Sequence, residues 1–351
     1  MKPHARQPGI DTLKVLASQI IVLHHLSAYG PVAEAMEHAA PALMDWLYGY
    51  GRMAVQVFLV LGGYLAVPSL MPAMAGGVSA LGLSLWRRYL RLAPPFLVAL
   101  ALAMAAAAVS RPWLSADLVP EHPSLDEWLA HALLLQEVMG VEALSAGIWY
   151  VAIDFQLHAL LALLLWLGQR GGQARTAQAL VLGVAAASLL WWNRAPGLDD
   201  WSIYFFGAYG LGVMARWSGQ WPQAWARGAW LAGLVVLGTL ALLLEFRHRI
   251  ALALAVALWL ATAQRWASWR LPLPCSLGAA LHALGRSSYA LFLVHFPVLL
   301  LGNALFAALE LSGPAAGVAL FLAVWGVSVL LGWAFERWVE APLGRWIKSR
   351  V

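Results

Sequence analysis

Apolar runs broken by charged or glycine- and proline-containing links fall at residues 10–31, 46–68, 86–110, 146–168, 177–192, 200–215, 228–245, 250–264, 286–306 and 316–335. A helix needs roughly 20 apolar residues to cross a hydrocarbon layer. Inside that layer every backbone polar group must be bonded within the chain, which leaves the helix as the natural solution for runs of this length. The pattern predicts an all-α, polytopic integral membrane helix bundle of about ten transmembrane helices, read as a single domain over residues 1–351. Residues 113–145 interrupt it: Pro120, Pro123 and a weakly apolar 128–140 segment predict an outer loop with an interfacial or re-entrant piece. The first run carries His24 and His25 and is followed by no small-residue cleavage site, so it reads as a retained span rather than a signal peptide.

Composition narrows the class. Of 351 residues, 62% are hydrophobic and only 11% charged, with 20 Trp, which excludes a soluble globular domain. The mean hydropathy of +0.72 agrees. The single cysteine, Cys275, cannot form an intramolecular disulfide or a metal cage and reads as a buried small hydrophobe; no metal site is expected. The net charge of +5 has no soluble basic face to sit on, so it speaks for topology and not for nucleic acid. If Lys2 and Arg6 start in the cytoplasm, all basic residues except Arg52, Arg111, Arg194, Arg247 and Arg249 fall on the inner side. Most acids, including Glu34, Glu37 and Asp45, fall outside, which predicts both termini in the cytoplasm. Tryptophans of the inner links, such as Trp217, Trp225, Trp266 and Trp269, read as interfacial anchors.

Ionisable groups within spans are costly and mark function or partners. In the first span Asp11 and Lys14 precede His25. Eleven residues at 100° each bring His25 back to within about 20° of the Lys14 face, roughly 16 Å further along the axis. An imidazole is a natural base toward a hydroxyl near neutral pH; the alternative is a histidine hydrogen-bonded for packing. His24 points about 100° away. Arg88 and Arg91 stand at the start of the third run, where their guanidinium forks suit a phosphate donor or simply reach lipid headgroups. Asp154 lies at a depth comparable to His25, where it would orient the ring, or it pairs with His158 in its own helix. Tyr289 and His295 share a span that Pro297 is expected to kink. Glu336 and Glu340 sit one turn apart, with Pro342 expected to stop the helix, and could simply pair with arginines. The Gly62–Gly63 pair permits close approach of a helix or a ligand.

Together these segments resemble acyltransferase family 3, the polytopic membrane acyltransferases that O-acylate bacterial glycans. The resemblance rests on Lys14 and His25 in the first span, V-Q-V-F-L-V-L-G-G-Y-L at 55–65, Arg88 and Arg91 followed by Pro94, I-W-Y-V-A-I-D-F-Q at 148–156, G-R-S-S-Y-A-L-F-L-V-H at 285–295 and V-E-A-P at 339–342. Two positions depart from the pattern: Asp154 stands where many members have glutamate, and Gly62 replaces the usual serine. The resemblance implies acetyl-CoA as donor substrate, held by Lys14, Arg88 and Arg91, and His25 as catalytic base; the depth reading adds Asp154 as the residue expected to orient it.

It further implies a lipid-linked saccharide or other glycan as acceptor and a multi-pass place in the bacterial inner membrane. Asp11, Trp149, Tyr289, His295 and Glu340 are expected to line the site, with Trp149 or Tyr289 offered as donors to the oxyanion. Direct transfer and an acyl-enzyme relay both stay open, as do the acceptor and the oligomeric state. The rival reading is a transporter or flippase whose buried charges line a path. A purely structural membrane partner leaves the density of buried ionisable groups unexplained.

Overall fold

The computed structural model describes residues 8–74, 76–170, 174–263 and 274–350, and every regular element among them is helical. Lys2, Arg6, Trp266 and Trp269 lie outside the described residues, as does the side chain of Cys275. The helices are α1 (Pro8–Ala28), α2 (Pro31–Ala39), α3 (Pro41–Tyr50), α4 (Val55–Met74), α5 (Gly77–Ser110), α6 (Leu125–Ala132), α7 (Trp149–Arg170), α8 (Ala174–Leu190), α9 (Ser202–Ser218), α10 (Ala224–Leu244), α11 (His248–Ala263), α12 (Cys275–Arg286), α13 (Ser288–Ala308), α14 (Pro314–Phe335) and α15 (Ala341–Lys348). Among the described residues each of the ten apolar runs is mostly helical, the run at 46–68 being divided between α3 and α4. Among the described residues seven stretches are long and apolar enough to cross a membrane, and α1 with α2, bent by 100°, would make an eighth. The runs that became α9 and α11 are shorter, at 17 and 16 residues.

The chain divides into two compact units. The first comprises Met1–Ala54, Arg91–Tyr150 and Pro274–Val351, the second Val55–Leu90 and Val151–Leu273, so the division falls inside α5 and α7. In the first unit, Val22 and Leu26 of α1 pack with Met36 of α2, Leu47 of α3, Leu299 and Phe306 of α13 and Phe321 of α14. The elbow between α1 and α2 turns on Gly30, whose φ of +81° an L side chain rarely adopts. Asn303 of α13 holds that elbow: its Oδ1 accepts from the Val32 amide at 3.0 Å and its Nδ2 donates to the Tyr29 carbonyl at 3.2 Å. Between α5 and α7 the chain runs through turns and the short α6, whose Ser124 and Glu127 form a reciprocal cap. Eight residues cannot span a bilayer. Exposed Leu125, Leu129 and Leu133, spaced four apart, put an apolar edge along α6 and its C-cap.

In the second unit α4 and α9 touch backbone to backbone. A Cβ on Gly63 would lie 1.9 Å from the Tyr209 carbonyl oxygen, and one on Gly212 would lie 1.9 Å from that of Val60. Glycine is therefore obligatory on both faces, and this is the packing use of the second glycine of the Gly62–Gly63 pair. At the link between α10 and α11, buried Arg247 donates to Asn193 Oδ1 at 2.6 Å and to the Leu189 carbonyl at 2.9 Å. Beside it, exposed Glu245 accepts from Arg194 at 2.8 Å, and that hydrogen bond holds its carboxyl below the usual range.

Two sequence expectations about helix ends are corrected. Pro342 does not stop the last helix; it stands in the first turn of α15, where its missing N–H has no helical partner to lose. A π-helical turn over Glu336–Glu340 absorbs the change between α14 and α15. The third span starts at Gly77, not near residue 86. Arg88 and Arg91 thus lie 11 and 14 residues inside a 34-residue helix rather than at its mouth, about 16 and 21 Å along its axis.

Candidate functional site

The first unit places His25 of α1 against His295 of α13. His25 is 9% exposed and His295 fully buried. His25 Nδ1 and His295 Nε2 are 2.8 Å apart, and the ring centroids 4.8 Å. On its far side His295 Nδ1 is 2.7 Å from the Phe292 carbonyl oxygen one turn earlier. Tyr29 meets His25 edge-on at 6.1 Å. Gly147, at the approach to α7, closes on the same ring: a Cβ there would lie 2.8 Å from His25 Cε1, and its φ is +79°. Nε2, the remaining nitrogen of His25, hydrogen-bonds to no described residue. His24 points elsewhere, as the 100° offset predicts, with Nδ1 3.0 Å from the Leu47 carbonyl and Gly51 against its Cβ.

The hydrogen-bond partner of His25 is therefore His295 rather than the expected Asp154. In the second unit Asp154 of α7 forms an ion pair with Arg88 of α5. The reason is energetic: a lone carboxylate or guanidinium in a low-dielectric interior is expensive, so two such groups at matching depth neutralise each other. Tyr209 of α9, fully buried, is within electrostatic range of both members of the pair. Gly62 makes room for this arrangement, since a Cβ there would lie 3.0 Å from the Tyr209 ring and 3.8 Å from Asp154 Oδ1. A serine would crowd it, which gives the departure at position 62 a local physical reason.

At the other end of α1, the first unit gathers a charged cluster. Lys14 is within electrostatic range of Asp11, Arg91 and Glu340. Asp11 Oδ2 is 3.0 Å from His282 Nδ1 of α12, and Arg286 pairs with Glu336. Glu340 Oε2 is buried with no hydrogen-bond partner among the described residues. Lys14, Arg91, Asp11 and Glu340 thus lie near one another in the first unit, and Glu336 takes an arginine partner. The Tyr289 hydroxyl donates to the Leu92 carbonyl at 3.2 Å. Trp149 opens α7, its ring edge-on to Tyr150 at 6.1 Å.

Beyond His25, a cavity of about 320 Å³ lies at the elbow of α1, α2 and α3, lined by Ser27, Glu34, Glu37, Asp45 and Tyr48 among others. Sequence reasoning had assigned the three acids to an outer link without seeing that they converge. It also missed His282 and Gly147. Nothing in the α12 segment marked His282 as the partner of Asp11, whereas a glycine two residues ahead of the Trp149 helix start was a visible hint of close approach.

No curated protein and no solved structure matches the chain. The family model described as an acyltransferase domain, that of acyltransferase family 3, matches residues 7–337. With the match running through both units and nearly the whole chain, this membrane-helical protein belongs to acyltransferase family 3.

Proposed function

We propose that this membrane acyltransferase moves an acetyl group from acetyl-CoA, met on the cytoplasmic side, to a hydroxyl of an exported or cell-surface glycan, with His25 as the base. The observation that carries the reading is the state of His25: buried, tied at Nδ1 to His295, and with Nε2 hydrogen-bonded to no described residue. On the same helix, about 16 Å away, stands Lys14, within electrostatic range of Arg91 of α5, and the two cations suit the phosphates of a coenzyme A. Arg88, held by Asp154, is the third cation assigned to the donor. Asp154 thereby becomes a residue that positions Arg88 rather than one that orients the base.

In the reaction His25 Nε2 takes the proton of the acceptor hydroxyl as its oxygen bonds to the acetyl carbon. The carbon–sulfur bond then breaks, and the proton held on Nε2 passes to the departing thiolate. The elbow cavity supports a polyhydroxylated acceptor, because carboxylates accept from sugar hydroxyls and a tyrosine ring covers an apolar sugar face. Family membership favours transfer over the translocation reading.

The test supplies radiolabelled acetyl-CoA to membranes containing the wild-type chain or the Arg88→Ala, Arg91→Ala double variant. Label recovered in glycan with wild type and lost with the double variant, at equal protein levels, supports the reading. Label that stays out of every glycan fraction with wild type contradicts the acceptor assignment.

A further inference from the structure

We infer that His295 is a positioning residue for His25: through its hydrogen bonds it holds the His25 ring in the tautomer whose lone pair is at Nε2. The inference rests on the assignment of His25 as base made above. It starts from an atom whose role is not in doubt. A backbone carbonyl only accepts, so the His295 nitrogen 2.7 Å from the Phe292 oxygen, Nδ1, carries a proton.

A neutral imidazole has one N–H, so His295 Nε2 is then an acceptor. The alternative, a doubly protonated His295, would put a bare charge in a fully buried site where none of its described contacts is a carboxylate. Since His295 Nε2 accepts, His25 Nδ1, 2.8 Å away, donates; with both unprotonated, two lone pairs would face each other at that distance. His25 Nε2 is left without a proton, as a base must be.

The order of protons thus runs from the Phe292 carbonyl through two rings to one lone pair, assigned by the hydrogen-bond network alone. The arrangement also serves the step after proton capture. When Nε2 takes the hydroxyl proton the His25 ring becomes cationic, and its Nδ1–H donates more strongly to the neutral His295 acceptor. Gly147 and Tyr29 on the other edges of the ring oppose its rotation out of this register.

The test compares His295→Gln, His295→Asn and His295→Met in the full-length protein in membranes. Glutamine reaches as many bonds from Cβ as Nε2 does and can accept from His25 Nδ1. Asparagine reaches only as far as Nδ1, and methionine fills the space with no such acceptor. Orienting partners of this kind are typically worth 10- to 100-fold. We expect kcat for acetyl transfer to fall by about that factor in the Asn and Met variants, with KM for acetyl-CoA unchanged and with glutamine recovering most of the loss.

In a His25→Ala background, the His295 substitutions should produce no further change. Equal kcat in all three variants and wild type, or equal losses in all three at normal thermal stability, would overturn the positioning role while leaving His25 as base. Wild-type kcat in His25→Ala would overturn the base assignment itself, and this inference with it. Should the Asn or Met variant fail to fold, the contrast between glutamine and the other decides; should glutamine fail, a kcat loss in the other two at unchanged KM that vanishes in the His25→Ala background supports the role, and its absence overturns it.

Discussion

Replacing Gly147 by alanine should disable the enzyme with little loss of fold, and the size of the effect follows from two numbers. The residue sits at φ +79°, where an L side chain costs about 1–2 kcal/mol. Its new methyl would stand 2.8 Å from His25 Cε1 and 3.2 Å from Phe292 Cε2. Carbon atoms rest at about 3.5–4.0 Å, so ring and loop must part by roughly 0.7–1.2 Å. With Phe292 behind the methyl on one side, much of that movement falls on His25. Its 2.8 Å bond to His295 would stretch to about 3.5 Å, beyond a useful hydrogen bond.

A displacement near 1 Å at a reacting group is enough to cost about 100-fold in rate. Gly140 supplies the control: φ is +65°, but a Cβ there meets nothing within 4 Å. Gly140→Ala should show the same 1–2 kcal/mol of backbone strain and keep wild-type turnover. The assay is label transfer from acetyl-CoA at saturating donor, with thermal unfolding in detergent as the stability readout. Gly147→Ala with wild-type kcat and a stability loss matching Gly140→Ala would show that the ring it touches does no chemistry.

Gly63→Ala places a methyl 1.9 Å from a backbone carbonyl that has no rotamer to escape by, so it should lower thermal stability by at least the 1–3 kcal/mol of ordinary overpacking. An unchanged melting temperature would refute the direct contact of α4 and α9. Asp154→Leu removes the carboxylate that pairs with half-buried Arg88 and should lower the melting temperature, whereas Asp154→Leu with Arg88→Met should recover most of that stability yet bind acetyl-CoA poorly. Recovery of donor binding in the double variant would remove Arg88 from the donor site. His131 of α6, outside the spans, donates from Nδ1 to the Glu127 carbonyl at 2.8 Å, and burial lowers its affinity for a proton. Its folded value lies below the unfolded one, near 6.5, so the unfolded chain binds more protons there and stability falls as pH drops below about 6.5. His131→Asn should shrink the difference in melting temperature between pH 7.5 and pH 5.5, and an equal difference in both proteins would count against it.

The ten helices were legible because lipid admits few other backbone solutions, so an apolar run of sufficient length translates almost directly into a helix. The face of Lys14 and His25 was legible for the same reason, since helical geometry fixes angles within one element. What failed was the pairing of residues across elements. The sequence carries no signal that sets Arg88 of α5 against Asp154 of α7. Partners supplied by distant elements carried no local signal at all: His282 for Asp11, the carbonyl of Leu92 for Tyr289, Asn303 for the Gly30 elbow. Pro342 misled because proline ends a helix only when it stands past the first turn, and the π-helical turn before it restarted the count.

The measurement that bears most directly on the central claim is acetyl transfer by His25→Ala beside wild type, in membranes with matched protein levels and saturating radiolabelled acetyl-CoA. If Nε2 of His25 is the base, wild type labels glycan and the variant falls by at least the 100-fold that a positioned general base commonly supplies, with its affinity for acetyl-CoA unchanged. Wild-type turnover in His25→Ala would contradict the claim and send the search for the base to another residue.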